Sequence, residues 1–152
     1  MNSTFQTAAT AAPQLFARLM ASAPFLEKGI VTQKGRPGIY VLFEGGTPVH
    51  VGRTRNLGGR LRGHITRSHY SASFAFKRAR RILNRVATYR PEGSRKSLVA
   101  DEIFGPEFIR QIDTVKAMEV RFIEVEDPVM QYLLELYVCL ELKLPLDEFD
   151  TH

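Results

Sequence analysis

The sequence predicts an α+β fold: a small mixed or antiparallel β-sheet flanked by helices. Three observations carry that expectation. Two β-rich runs, Gly38-Ile39-Tyr40-Val41-Leu42-Phe43 and Thr47-Pro48-Val49-His50-Val51-Gly52, are separated by Glu44-Gly45-Gly46, which is a local hairpin signal. A basic segment follows with Leu57, Leu61 and Ile65 at helical spacing. Near the end, a run over 118–125 that is apolar on both faces leads through Asp127-Pro128 into a long apolar helical stretch. The chain has 152 residues and is 44% apolar, the size and composition of one domain with a real core.

Taken in order, residues 1–12 are small and polar and are expected to form a loose lead-in. Pro13 suits the first turn of a short amphipathic helix over 13–23, with Leu15, Phe16, Leu19 and Met20 inward. Residues 1–30 are thus a lead-in and short helix, and 31–152 the single domain. In the hairpin, register decides chemistry. A two-residue loop sets Tyr40 opposite Val51 and on the other face from His50. A three-residue loop, Glu44-Gly45-Gly46, pairs Tyr40 with His50 on one face. Gly46 suits the left-handed position of the longer turn, so the second arrangement is favoured.

Asn56 is the expected N-cap of a helix over 57–66, weakened in its first turn by Gly58 and Gly59. Arg60 and His64, four apart, share a face beside its buried stripe. A second, strongly basic helix is expected over 74–86, with Phe76, Ala79, Ile82, Leu83 and Val86 inward. Residues 89–96 hold Pro91, Gly93 and Ser94 and read as a basic loop. Residues 107–112 are ambiguous. The last helix should run from Asp127-Pro128 to about Leu144, stopped by Pro145.

Charge is segregated along the chain. The formal net charge is +5, and residues 53–96 hold 13 of the 21 Lys and Arg against one acid, Glu92. Beyond residue 100 there are 13 acids and four bases. A basic sector with Tyr70, Phe74, Phe76 and Tyr89 among its charges suits a phosphate backbone. Arg53, Arg55 and Arg62, with Lys77, Arg78, Arg80, Arg81 and Arg85, are the candidate nucleic-acid contacts. The single cysteine, Cys139, excludes an internal disulfide and a cysteine-based metal site, and fits a reducing, cytoplasmic setting. No run has the length of a membrane span, and no membrane partner is expected.

The last helix holds one carboxylate, Glu135, in the apolar and aromatic run Tyr132-Leu133-Leu134-Glu135-Leu136-Tyr137-Val138-Cys139-Leu140. Such a group has to be paired, neutralised or bound to a cation. A structural ion pair with an arginine and a metal site facing the hairpin both satisfy that demand.

In Gly38-Ile39-Tyr40, His50-Val51-Gly52, Arg60, His64 and Glu135 the chain resembles the GIY-YIG nuclease superfamily. The resemblance covers roughly 38–150, with unrelated-looking sequence as a basic insertion at about 66–118. It implies a GIY-YIG-like α+β domain and a metal-dependent endonuclease that hydrolyses phosphodiester bonds. In that role Tyr40 takes the proton of the attacking water, helped by His64 or His50. Arg60 stabilises the phosphorane, and Glu135 holds one Mg2+ or Mn2+. DNA is the implied substrate, with RNA not excluded, and duplex cleavage would call for a homodimer or a partner protein. The family's terminal Asn has no literal equivalent; Asp147 is nearest as a positioning residue, with Glu148 next.

Two departures stand out. His50 replaces the second motif's tyrosine; an imidazole titrates near about 6.5 against about 10 for a phenol, which suits a proton relay and equally suits a site that has given up catalysis. Asp147 puts a charge where the family has a neutral amide. A catalytically lapsed nucleic-acid binding module, and a protein-interaction domain using the acidic last third, are the competing readings.

Overall fold

A computed structural model of the chain describes residues 1–26, 32–85 and 90–147. Among them lie helices α1 (Ser3–Ala21), α2 (Leu57–His64), α3 (Ser73–Leu83), α4 (Arg95–Ala100), α5 (Phe104–Lys116) and α6 (Pro128–Glu141), and strands β1 (Gly38–Glu44), β2 (Thr47–Thr54) and β3 (Glu119–Glu124). The α+β class is as the sequence predicts, and the sheet is antiparallel throughout, in the order β2-β1-β3.

β1 is the central strand and is buried from Gly38 to Phe43. Its alternation deals side chains to two cores. Tyr40 and Leu42 enter one with Leu57 and Leu61 of α2, Phe74 and Phe76 of α3, and Phe104 and Phe108 of α5. Ile39, Val41 and Phe43 enter the other with Ala8, Ala12 and Leu19 of α1 and Leu134 and Val138 of α6. β3 feeds both, with Val120 and Phe122 in the first and Ile123 in the second. The sheet is therefore a wall with α1 and α6 on one side and the basic helices on the other.

The hairpin register differs from both sequence alternatives. The loop has two residues: Glu44 pairs with Thr47, and Gly45 and Gly46 turn the chain with φ of 56° and 83°, positive values that glycine adopts without a Cβ penalty. An irregularity between Leu42 and Phe43 then moves the register by one: Phe43 pairs with Pro48, Leu42 with His50, and Tyr40 with Gly52. Pro48 lacks an N–H, and β2 is an edge strand where a bulge is tolerated. The bulge restores what the short loop alone would lose, so Tyr40 and His50 share a face after all.

The expected loose lead-in over 1–12 is helical instead. Asn2 accepts a hydrogen bond from Phe5 N at 3.0 Å and caps α1, which passes through Pro13. Alanine has the highest helix propensity, and the buried Ala8 and Ala12 belong to the cluster α1 shares with α6. α2 ends at His64, two residues short of expectation, and α3 ends at Leu83, with Ile82 57% exposed rather than inward. The ambiguous 107–112 lies inside α5, and part of the expected basic loop forms α4. α6 stops at Glu141, and Lys143 follows with φ of 56°. Val86, Tyr89 and Glu148 lie outside the described residues.

Candidate functional site

Tyr40 leaves the centre of β1 and crosses its neighbour β2 at Gly52. A Cβ built at Gly52 would fall 2.5 Å from Tyr40 Cζ, so the ring occupies the space that any larger residue would need. Tyr40 is fully buried. Its hydroxyl meets two groups from one helical face: His64 Nε2 at 2.7 Å and Arg60 Nε, which donates at 3.2 Å. Asn56 makes that face possible by accepting from Gly59 N at 3.1 Å and capping α2. Leu57 and Leu61 anchor the adjoining buried stripe.

Since the phenol oxygen accepts from Arg60, the arrangement that uses all three groups sends the phenol proton to His64 Nε2. Burial raises the Tyr40 pKa above its ordinary value, with Arg60 acting in the opposite sense and the Glu135 charge adding to the rise. Arg60 also donates from Nη1 to the Ser71 carbonyl at 3.4 Å, while its buried Nη2 has no hydrogen-bond partner among the described residues. A guanidinium with an unmet buried donor fits an incoming oxyanion.

His50, also buried, enters through its ring. It stacks on Phe74 with centroids 4.6 Å apart and planes at 30°, and lies 5.2 Å from the His64 ring and 5.9 Å from that of Tyr40. Phe74 of α3 and Ser71 of the stretch joining α2 to α3 also meet this group, a tertiary fact without a sequence signature.

Glu135 approaches β2 from the other side of the sheet. It is 3% exposed, and its Oε2 is 3.2 Å from Arg53 Nε. Arg53 alternates with Gly52 and so faces α6, where its guanidinium also lies 4.0 Å over the Tyr132 ring. Arg53 is therefore first a partner of Glu135, and a nucleic-acid contact only if it lets go.

The remaining basic residues are spread over the surface. Arg55 donates to the Glu126 carbonyl at 2.6 Å, and Arg62 is exposed. Arg78 pairs with Glu44 at 2.6 Å and with Gln111 at 2.9 Å. Arg80 donates to the Arg85 carbonyl at 3.3 Å, and Arg85 lies 4.0 Å from Asp101. Asp147 sits between Lys77 and Arg81, 3.5 Å and 3.2 Å from their nitrogens. Its carboxyl is held below its ordinary range by those two cations, against a contrary push from burial. Asp147 thus meets α3 and not the Tyr40 hydroxyl. Where such pairs are solvent-exposed they contribute little to stability.

Among the described residues no three His, Cys, Asp or Glu side chains converge as a ready metal cage. No helix there is long and apolar enough to cross a membrane. Compared with protein-family models, with curated proteins and with solved structures, the chain finds no match in any of the three.

Proposed function

We propose that the chain is a divalent-metal-dependent endonuclease of the GIY-YIG kind, acting on DNA. The observation that carries the reading is the Tyr40 hydroxyl, held between His64 Nε2 and Arg60 Nε at 2.7 Å and 3.2 Å. A phenol in hydrogen-bond contact with an imidazole can pass its proton to the ring while it receives one from water. The water oxygen then bonds to phosphorus as the bond from phosphorus to the leaving oxygen breaks. Arg60, with its unmet Nη2, faces the negative charge that builds on the non-bridging oxygens. His50 orders the imidazole through the Phe74 stack.

The buried carboxylate of Glu135 fits a hard cation in donor chemistry: Mg2+ keeps most of its waters and uses one or two protein carboxylates with phosphate oxygens. When bound, such a cation supplies Lewis acidity and charge neutralisation at the phosphate. Arg53, now on Glu135, would move to the phosphate backbone.

The test is supercoiled plasmid with the protein and magnesium, beside Glu135→Ala and EDTA controls. Nicking that needs both the carboxylate and the metal supports the reading; cleavage indifferent to Glu135 removes it. A second reading, a nucleic-acid binding module, is favoured by one observation: Tyr40 and His64 are 0% and 1% exposed, so water reaches them only if the site opens. Plasmid retarded but never nicked would select it.

A further inference from the structure

The connection from α2 to α3 carries a second group of residues that the chemistry at Tyr40 does not use. The His69 and Tyr70 rings are in tilted contact, with centroids 4.1 Å apart and planes at 40°. Tyr70 is 75% exposed, a large aromatic face turned to solvent.

The pair is braced from behind. Arg95 donates from Nη2 to the His69 carbonyl at 2.6 Å and to Ser73 Oγ at 3.4 Å, and its guanidinium lies 4.5 Å over the Phe76 ring. Arg95 Nε and His69 Nδ1 are both buried and have no hydrogen-bond partner among the described residues. Burial, then the charges of Arg95 and Lys96, lower the His69 pKa, which keeps its ring neutral and fit for stacking. Burial and the charge of Arg80 likewise lower that of Arg95. The surroundings are thus cationic, with an unmet donor beside an exposed ring.

The position matters as much as the chemistry. Ser71, the next residue, accepts from Arg60 Nη1 at 3.4 Å, so one residue separates the exposed ring from the guanidinium of the Tyr40 group.

We propose that Tyr70, seated on His69 with Arg95 beside it, is a stacking platform for an unpaired base of a single-stranded or locally opened nucleic acid. The proposal rests on the nucleolytic reading and names its substrate class. Arg95 and Lys96 meet the phosphate next to the stacked base. A base inside a duplex offers only its edges, whereas an unstacked base offers the π-face that an exposed tyrosine can take.

The chain contains no tryptophan, so Tyr70→Trp places a lone indole at the platform. In EDTA, a single-stranded oligonucleotide should quench that indole saturably, and a duplex of the same length much less. With an end-labelled single strand, Tyr70→Ala should bind about tenfold more weakly than the parent protein, the loss expected of one base stack, and Tyr70→Phe should recover most of it. Because Tyr70 is exposed, the variants keep their melting temperature. A labelled strand that binds without quenching the indole, or a Tyr70→Ala loss no greater for single strands than for duplex, overturns the platform while leaving the nuclease reading in place. No binding of either nucleic acid at moderate salt overturns both.

Discussion

The Tyr40 hydroxyl lies 2.7 Å from His64 Nε2, and the two side chains come from elements joined by an edge strand and a cap. Tyr40→Phe deletes the oxygen that Arg60 donates to and that His64 meets. If the phenol is the base, plasmid nicking should fall by at least about 100-fold. Stability should drop by about 1–3 kcal/mol in a urea melt, because buried polar groups lose a partner. Nicking at the parent rate would remove Tyr40 from the chemistry.

Gly52 makes that contact possible, and substitution there tests it separately. In Gly52→Ala the added methyl would meet the Tyr40 ring 2.5 Å from Cζ. Neither backbone strand can retreat easily, since Tyr40 and Gly52 are directly paired. Overpacking of this kind costs about 1–3 kcal/mol, and the displaced hydroxyl should also lower cleavage. A variant with unchanged melting and unchanged nicking would show that the ring has room to move.

Much of this geometry was legible because it is local. Arg60 and His64 are four residues apart on a capped helix, and that spacing alone puts them on one face. The shared face of Tyr40 and His50 was foreseen, but from a three-residue loop; the two-residue Gly45-Gly46 turn and the bulge by Pro48 reach the same parity by another route. The Arg53–Glu135 pair was half legible. Strand alternation turns Arg53 away from Tyr40, yet only the packing of α6 on β2 says which carboxylate it meets. Phe74, Ser71 and the helical lead-in were not legible, since each depends on contacts made far along the chain. Residues 1–12 read as a small, polar lead-in until α6 supplies the surface that buries Ala8 and Ala12.

The Arg53–Glu135 pair predicts competition between arginine and metal. Arg53→Met removes a charged partner from a carboxylate that is 3% exposed. Because Arg53 is 31% exposed and screened, the loss should be about 1–3 kcal/mol rather than the full penalty of a broken buried pair. Millimolar magnesium should then raise the melting temperature of Arg53→Met more than that of the parent, with no rise in Arg53→Met combined with Glu135→Gln. Equal behaviour of all three would mean that Glu135 takes no magnesium.

Asp147 offers a choice between two roles. It pairs with Lys77 and Arg81 on the exposed side of α3. If its effect is to occupy those cations, Asp147→Asn removes the charge that neutralises them, and plasmid affinity at low salt should rise about threefold to tenfold. The slope of log affinity against log salt should steepen by about 0.9 for each extra phosphate met. If Asp147 instead positions substrate, the same variant should lose nicking while its affinity stays level. Gel retardation across a salt series separates the two.

Burial of Tyr40 also fixes a direction for stability at high pH. Its pKa in the folded chain lies above the ordinary value, chiefly because burial disfavours the phenolate. Below that ordinary value, about 10, both folded and unfolded chains keep the proton and Tyr40 contributes no pH dependence. As pH rises through it, the unfolded chain releases the proton while the folded chain retains it, so the unfolded state binds fewer protons and stability falls. The fall continues until the raised folded pKa is reached. Tyr137 is raised as well, by burial and then by Glu141, so the parent curve alone does not isolate Tyr40. Urea midpoints from about pH 9 to about pH 11 should fall more steeply in the parent than in Tyr40→Phe. Parallel curves would mean that Tyr40 ionises as readily in the folded protein as in the unfolded one.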